Sequence, residues 1–369
     1  MDLIIIVLAI SIITSSLAVA LILRISNEYN WFDRICKRKI HSENIPRLAG
    51  IGFALAFFVV ALVVRLFFTY AEFNILDLSH FFALLVILIF GIVDDFRPLK
   101  PLLKLSAQIV AALIVIVSGH TFGQITYIDA WIFPEPVWFV LTLVWIVGIT
   151  NAINLIDGID GLAGSVSGLI ALFLGLIFFN YGNDFLIVLY CVAFAGVIVG
   201  FLFFNAPLPK AKIFMGDCGS QFFGFFLALL PLFNSQNGPA TLPMLYVIAL
   251  LLIPIFDTIA AIWRRIRDSH GVFTPDKSHT HHKLMNLGLS VRGVVLVLGG
   301  LQIILGVLVF VSIRLDGLLS LYVLGFAYLL IMVFFTTLHY RNRRLRKKLN
   351  VIPPSPPPPP PPPPTSVLA

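Results

Sequence analysis

Polar residues with catalytic potential interrupt an otherwise apolar chain in five places. Asp94-Asp95 closes the run Phe90-Gly91-Ile92-Val93. Asn151 precedes Asn154-Leu155-Ile156-Asp157-Gly158-Ile159-Asp160-Gly161. Asn205 ends a third apolar run, and Asp217 lies in Phe214-Met215-Gly216-Asp217-Cys218-Gly219-Ser220. His279, His281 and His282 form the last cluster, in His279-Thr280-His281-His282. Carboxylates gathered in one cleft repel unless a cation intervenes. Mg²⁺ is held by one or two carboxylates with phosphates and water as further ligands, and Mn²⁺ is an alternative. Lys104, Arg264, Arg265 and the histidines can bind phosphate oxygens. Carboxylates, cations and a metal together suit phosphoryl transfer, in which positioning and charge neutralisation supply most of the catalysis. Glycines 158, 161, 216 and 219 let backbone approach a nucleotide or phosphate closely.

Each cluster alone has an ordinary explanation. Asp94-Asp95 suits a solvated helix end, Asp157 and Asp160 a turn, and the histidines a solvated loop. Asp257, inside an apolar run, suits a structural pairing with a neighbouring helix. Asp217 is harder to dismiss, because an ionisable group between membrane-spanning runs costs roughly 2.5–3.5 kcal/mol. What marks a site is that Asp94-Asp95, the Asn151–Asp160 cluster, Asn205, Asp217 and the histidines all fall at one membrane side, most of them at helix ends.

Those runs define the elements that must position the site. The chain of 369 residues is 59% hydrophobic and 12% charged, with a mean hydropathy of +1.00. Soluble domains carry about 25% charged residues, so this composition calls for a bilayer as solvent. The expectation is an all-α polytopic membrane protein with about eleven spans. They are Leu3–Leu23, Gly50–Phe68, Leu76–Val93, Leu105–Val117, Val137–Ile153, Leu162–Phe179, Phe185–Phe204, Ile213–Phe233, Leu245–Ile262, Val291–Ile313 and Leu315–Phe335. The fourth is short and the eighth contains Asp217. The first has no basic flank before it and no small-residue cleavage site, which reads as a retained helix. Three scattered cysteines exclude a disulfide framework and a C-x-x-C metal site.

Arg24, Arg34, Arg47, Arg97, Lys104, Lys210, Arg264, Lys283 and the stretch 341–348 fall on one side of an eleven-span layout, whereas Arg65 and Arg314 fall on the other. The positive-inside rule then puts the N-terminus outside, the C-terminus in the cytoplasm and the polar clusters on the cytoplasmic face. The net charge of +7 thus reads as topology and not as nucleic-acid binding. Residues 1–340 read as the transmembrane catalytic domain. Residues 341–369 read as a basic juxtamembrane segment that meets anionic lipid, followed by a proline-rich disordered tail with an unbroken run from Pro356 to Pro364.

The motifs resemble, in order, those of the polyprenyl-phosphate N-acetylhexosamine-1-phosphate transferases, the glycosyltransferase 4 family. Asp94-Asp95-Phe96 with Lys104 and Gln108 is similar to the family's first aspartate motif. The Asn154–Ala163 stretch resembles the second, and Phe204-Asn205 with Phe214–Ser220 resembles the third. His279-Thr280-His281-His282 resembles the histidine motif, and Ile45–Gly50, Asp257-Thr258 and Arg264-Arg265 add to the match. The resemblance implies transfer of a sugar-1-phosphate from a UDP-N-acetylhexosamine to undecaprenyl phosphate in the bacterial inner membrane, with Mg²⁺ as cofactor. It implies Asp217 as metal ligand and Asp94, Asp95, His279, His281 and His282 as catalytic groups. Lys104, Asn154, Asp157, Asp160, Asn205, Arg264 and Arg265 would contact substrate. The H-x-H-H form resembles the N-acetylglucosamine-1-phosphate branch more than the muramoyl-pentapeptide branch, and a homodimer is left open. Two readings from other classes are a secondary transporter, which would carry its polar groups at the bilayer midplane, and a scaffold recruiting partners through the proline tail.

Overall fold

A computed structural model describes residues 2–32, 45–68, 78–122, 125–126, 130–131, 134–181, 185–206, 208–233, 244–269, 271 and 278–348. These form a helical bundle: α1 Asp2–Glu28, α2 Ala49–Phe68, α3 Ser79–Phe96, α4 Pro101–Val117, α5 Glu135–Ile156, α6 Leu162–Tyr181, α7 Phe185–Asn205, α8 Gly216–Leu229, α9 Met244–Leu250, α10 Leu252–Arg267, α11 Thr280–Asn286, α12 Val291–Ile313 and α13 Gly317–Lys348. A two-residue hairpin, Ile125–Thr126 against Ala130–Trp131, and a β-bridge between Phe32 and Pro46 depart from the all-helical expectation.

Every apolar run expected to span coincides with a helix or, for the ninth, a bent pair. Eight described helices are long and apolar enough to cross a membrane, and the pair α9–α10 makes nine. Helix α4, of 17 residues, is apolar but shorter, and α8, which carries Asp217, has 14. The chain is therefore a multi-pass membrane protein. Its outer faces agree: α1 exposes Ile5, Ile6, Ile10, Ile13, Leu17 and Leu21. In lipid such faces are satisfied, because the backbone polar groups are already paired within the helix.

The α9–α10 bend of 75° has a local cause. Pro254 has no N–H to give to the carbonyl four residues earlier, Leu250. The fully buried Gln302 of α12 donates to that Leu250 oxygen at 2.9 Å instead. The ninth span is thus broken rather than straight. The last helix also differs from expectation, running through the basic stretch to Lys348, so the boundary at 340 falls inside α13. The proline run lies outside the described residues.

The centre of the bundle is α8, with α3 and α5 against it and α2 close by. Twelve of its residues are buried, from Cys218 to Leu229. Phe53 and Phe57 of α2, Phe194 and Phe201 of α7, and Phe222, Phe223 and Phe226 of α8 form one aromatic cluster, with ring centroids 4.3 Å apart for Phe194–Phe226 and 4.6 Å for Phe53–Phe223. Buried aromatics of this kind dominate packing energies and fix relative helix positions. This block holds the N-terminal turn of α8, and with it Asp217, in place.

Candidate active site

The site is built where α3, α4, α5 and α8 end together. The turn before α8 is set by Gly216, whose φ of +75° favours glycine. A Cβ there would also collide with the Arg47 carbonyl oxygen and the Asp95 carboxylate. Segment 46–50 runs alongside the same turn: Phe214 N–H donates to Pro46 O at 2.8 Å, and Ala49 and Gly50 N–H donate to Phe214 O and Met215 O at 3.1 and 3.0 Å.

Asp95, at the end of α3, caps α8 from outside. Its carboxylate accepts from the backbone N–H of Asp217 at 2.8 Å and of Cys218 at 3.1 Å. Arg47 donates to the same group through Nη2 at 2.6 Å and Nε at 3.1 Å. First-turn N–H groups have no intrahelical partner and carry the positive end of the helix dipole, so a carboxylate is their natural complement. With its side chain fully buried, Asp95 is committed to this role.

Asp94 and Asp217 face each other across Lys104. The Lys104 ammonium is 2.9 Å from Asp217 Oδ2 and also contacts Asp94 Oδ2. Asp94 Oδ1 accepts from Leu99 N–H at 2.7 Å. Arg47 Nη2 is 3.8 Å from Asp217 Oδ2. The side chains of Asp94, Asp95 and Asp217 are 1%, 0% and 32% exposed, so Asp217 is the carboxylate of the three that can meet a ligand from solvent. On its other side, Asn154 Nδ2 lies 3.4 Å from Asp217 Oδ1 and donates to Ser220 Oγ at 2.7 Å.

Beneath the carboxylates runs a chain of side-chain amides. Asn151 Nδ2 donates to Gln108 Oε1 at 2.6 Å, and Gln108 Nε2 donates to Gln221 Oε1 at 3.0 Å. This chain ties α4, α5 and α8 in one register. The turn after α5 carries Asp157 and Asp160, both half-buried. Burial, then the charges of Asp217, Asp95 and Asp160, push the Asp157 carboxyl up to about 8. Removal from water disfavours the carboxylate, and the neighbouring acids disfavour it further.

Asn205 lies behind the site. Buried at the end of α7, it accepts from Gly161 N–H at 2.9 Å and donates to Ile213 O at 2.9 Å, clamping the turn after α5 to the segment leading into α8. The histidines enter from α11. His281 is 2% exposed and packs on Gly158, where a Cβ would collide with its Nε2. Burial first, then His282, lower its pKa to about 3, so the ring is neutral near pH 7. His279 is buried and His282 half-buried. Arg264 and Arg265, in the last turn of α10, are also half-buried.

The structure thus joins Asp94, Asp95, Lys104, Asn154, Asp157 and Asp217 in one cleft and brings His281 to its edge through Gly158. Arg47, Ser220 and Gln221 were not among the expected site residues. Arg47 was visible only as part of the 45–50 motif. Ser220 is one turn from Asp217 and Gln221 four residues from it, a spacing that helical reading of 214–221 would have exposed.

A divalent cation fits this donor set. It is oxygen-only, and a cation, the Lys104 ammonium, already sits against two of its carboxylates. Among the described residues no three His, Cys, Asp or Glu side chains form a metal cage. Such a site leaves ligand positions to phosphates and water, as Mg²⁺ sites usually do.

Residues 78–234 match the model of glycosyl transferase family 4. That span contains all the carboxylates above and stops short of the histidines. The chain is 31% identical over 297 residues to the probable undecaprenyl-phosphate N-acetylglucosaminyl 1-phosphate transferase of Bacillus subtilis, covering 80% of this chain and 81% of that protein. It is 31% identical over 236 residues to the decaprenyl-phosphate N-acetylglucosaminephosphotransferase of Mycobacterium tuberculosis, 58% of each chain. It is 28% identical over 262 residues to the undecaprenyl-phosphate alpha-N-acetylglucosaminyl 1-phosphate transferase of Salmonella typhimurium, 69% of each.

Proposed function

Because the chain belongs to glycosyl transferase family 4, we propose that it transfers N-acetylglucosamine-1-phosphate from UDP-N-acetylglucosamine to undecaprenyl phosphate. An oxygen of the lipid phosphate attacks the phosphorus that carries the sugar. The bond from that phosphorus to the bridging oxygen breaks, UMP leaves with that oxygen, and a diphosphate-linked lipid forms. This is the first membrane step of a cell-surface polysaccharide. We place the enzyme in a bacterial cytoplasmic membrane, with eleven spans, the N-terminus outside and the site facing the cytoplasm.

The observation that carries the reading is the opposition of Asp94 and Asp217 across Lys104, with Asp217 open to solvent. Asp217 would hold Mg²⁺, with Asp94 opposite it across Lys104 and Asn154 beside it. When bound, the ion neutralises phosphate charge and orients the diphosphate. Lys104 can turn from its carboxylates to an incoming phosphate oxygen, since its ammonium is a flexible point charge. Arg47, held by Asp95, keeps positive charge at the same mouth. Asp157 and Asp160 sit on a glycine-flanked turn open to a nucleotide from solution. Asp95 is placed to keep Asp217 where it is rather than to take a proton itself, because its oxygens are filled by four donors.

The test is release of UMP by the purified protein from UDP-N-acetylglucosamine and undecaprenyl phosphate, with and without Mg²⁺, across a panel of UDP-sugars. Release that needs Mg²⁺, the lipid and the N-acetylglucosamine donor supports the reading. Turnover indifferent to the lipid acceptor overturns it.

A further inference from the structure

Asp257 sits in the middle of α10, 1% exposed, where an ionisable side chain is expensive. Its carboxylate accepts three hydrogen bonds from the segment that opens α11. Oδ1 takes Thr280 N–H at 2.7 Å and Thr280 Oγ–H at 2.5 Å, and Oδ2 lies 2.7 Å from His279 Nδ1. Further along α11, Asn342 of α13, itself buried, donates to Lys283 O at 2.7 Å, and Asn286 Nδ2 at the far end lies 3.4 Å from Asn342 Oδ1. The short histidine helix is therefore fixed at both ends by side chains from two other helices.

The chemistry of the donors decides what this does to His279. A carboxylate only accepts, so the ring proton must sit on Nδ1. Nε2 is then left as the nitrogen for substrate: an acceptor until it takes a proton, and a donor to a phosphate oxygen once it has. A buried carboxylate also supports the imidazolium formed in that step. We propose that Asp257 is a positioning residue that fixes the tautomer and orientation of His279, so that Nε2 is the reactive nitrogen of the histidine segment.

This role differs from simple bracing in a testable way. In Asp257→Asn the side-chain oxygen must stay on Thr280, whose backbone N–H can only donate. The amide NH₂ then faces His279 Nδ1, which must accept, and the ring proton moves to Nε2. The variant thus keeps α11 anchored while inverting the histidine.

Two readouts test it, on the full chain in detergent. Nitrogen NMR of [¹⁵N]histidine-labelled protein, with His279 assigned by loss of its signals in His279→Gln, should find the proton on Nδ1 in the native protein and on Nε2 in Asp257→Asn. Kinetically, Asp257→Asn should lower kcat about a hundredfold or more, the size of a lost acid–base group, with the KM for the UDP-sugar within about threefold. In the double variant with His279→Gln, kcat should equal that of His279→Gln alone. A native His279 protonated on Nε2 overturns the proposal, as does an Asp257→Asn enzyme with near-native kcat, or losses that multiply in the double variant. The kinetic arm rests on the transferase reading; the NMR arm does not. A protein with no turnover on any UDP-sugar but with the expected tautomer would fail that reading and leave this one standing.

Discussion

Three neighbouring aspartates do different work because their surroundings differ. Asp95 meets four donors with a fully buried side chain, whereas Asp217 is a third exposed and shares a lysine with Asp94. Loss of charge should therefore have opposite signatures at the two ends. Asp217→Asn should keep the thermal unfolding midpoint of the native protein and lose at least a hundredfold in turnover, since the amide keeps size but loses cation affinity. Asp95→Asn removes the charge that Arg47 meets at 2.6 Å and turns an NH₂ toward at least one of the N–H donors that the carboxylate now accepts from. A hydrogen bond to a charged group is worth about 1.5–3 kcal/mol, so a destabilisation of about 2–3 kcal/mol is expected. Unfolding followed by intrinsic fluorescence in detergent separates the two. Equal midpoints for both variants would remove Asp95 from its capping role. Reading the residues alone, Asp94 and Asp95 are a pair with one job; only the helix they point at distinguishes them.

At the level of helices, the apolar runs were legible because hydrophobic length is a property of composition, and eleven runs coincide with helices or, for the ninth, a bent pair. What local pattern could not show is where a helix is helped by a distant side chain. The α9–α10 break needs Pro254, which was visible, and Gln302 from 52 residues away, which was not. Likewise α11 has seven residues, too few to stand alone, and is held by Asp257 at its start and by Asn342 at Lys283 and Asn286. Its packing on the turn after α5 has a consequence for pH. His281 has a pKa of about 3 in the folded protein against 6.5 when free. The folded state thus binds fewer protons than the unfolded one below pH 6.5. Stability from this group is complete above about 6.5 and falls as pH drops from there toward 3, by up to about 1.4 kcal/mol per pH unit. Melting midpoints taken between pH 7.5 and 4.5 should fall, and His281→Gln should flatten the slope. An unchanged slope in that variant would mean that another group carries the acid sensitivity.

For the molecule as a whole, the Lys and Arg distribution makes a claim about sidedness that fusions can check. A reporter after Lys348 should behave as cytoplasmic and one between α4 and α5 as external; the same side for both would overturn the eleven-span layout. The charges of the site are also synthesised in a fixed order. Arg47 leaves the ribosome 48 residues before Asp95, and Asp95 leaves it 122 residues before the α8 backbone that it caps. Lys104 follows Asp95 in the first turn of the next helix, α4, 113 residues before Asp217. Of the three aspartates that share Arg47 and Lys104, Asp217, which opens the deeply packed α8, is made last. The helix that opens on Asp217 is therefore made after every residue that caps or neutralises its first turn.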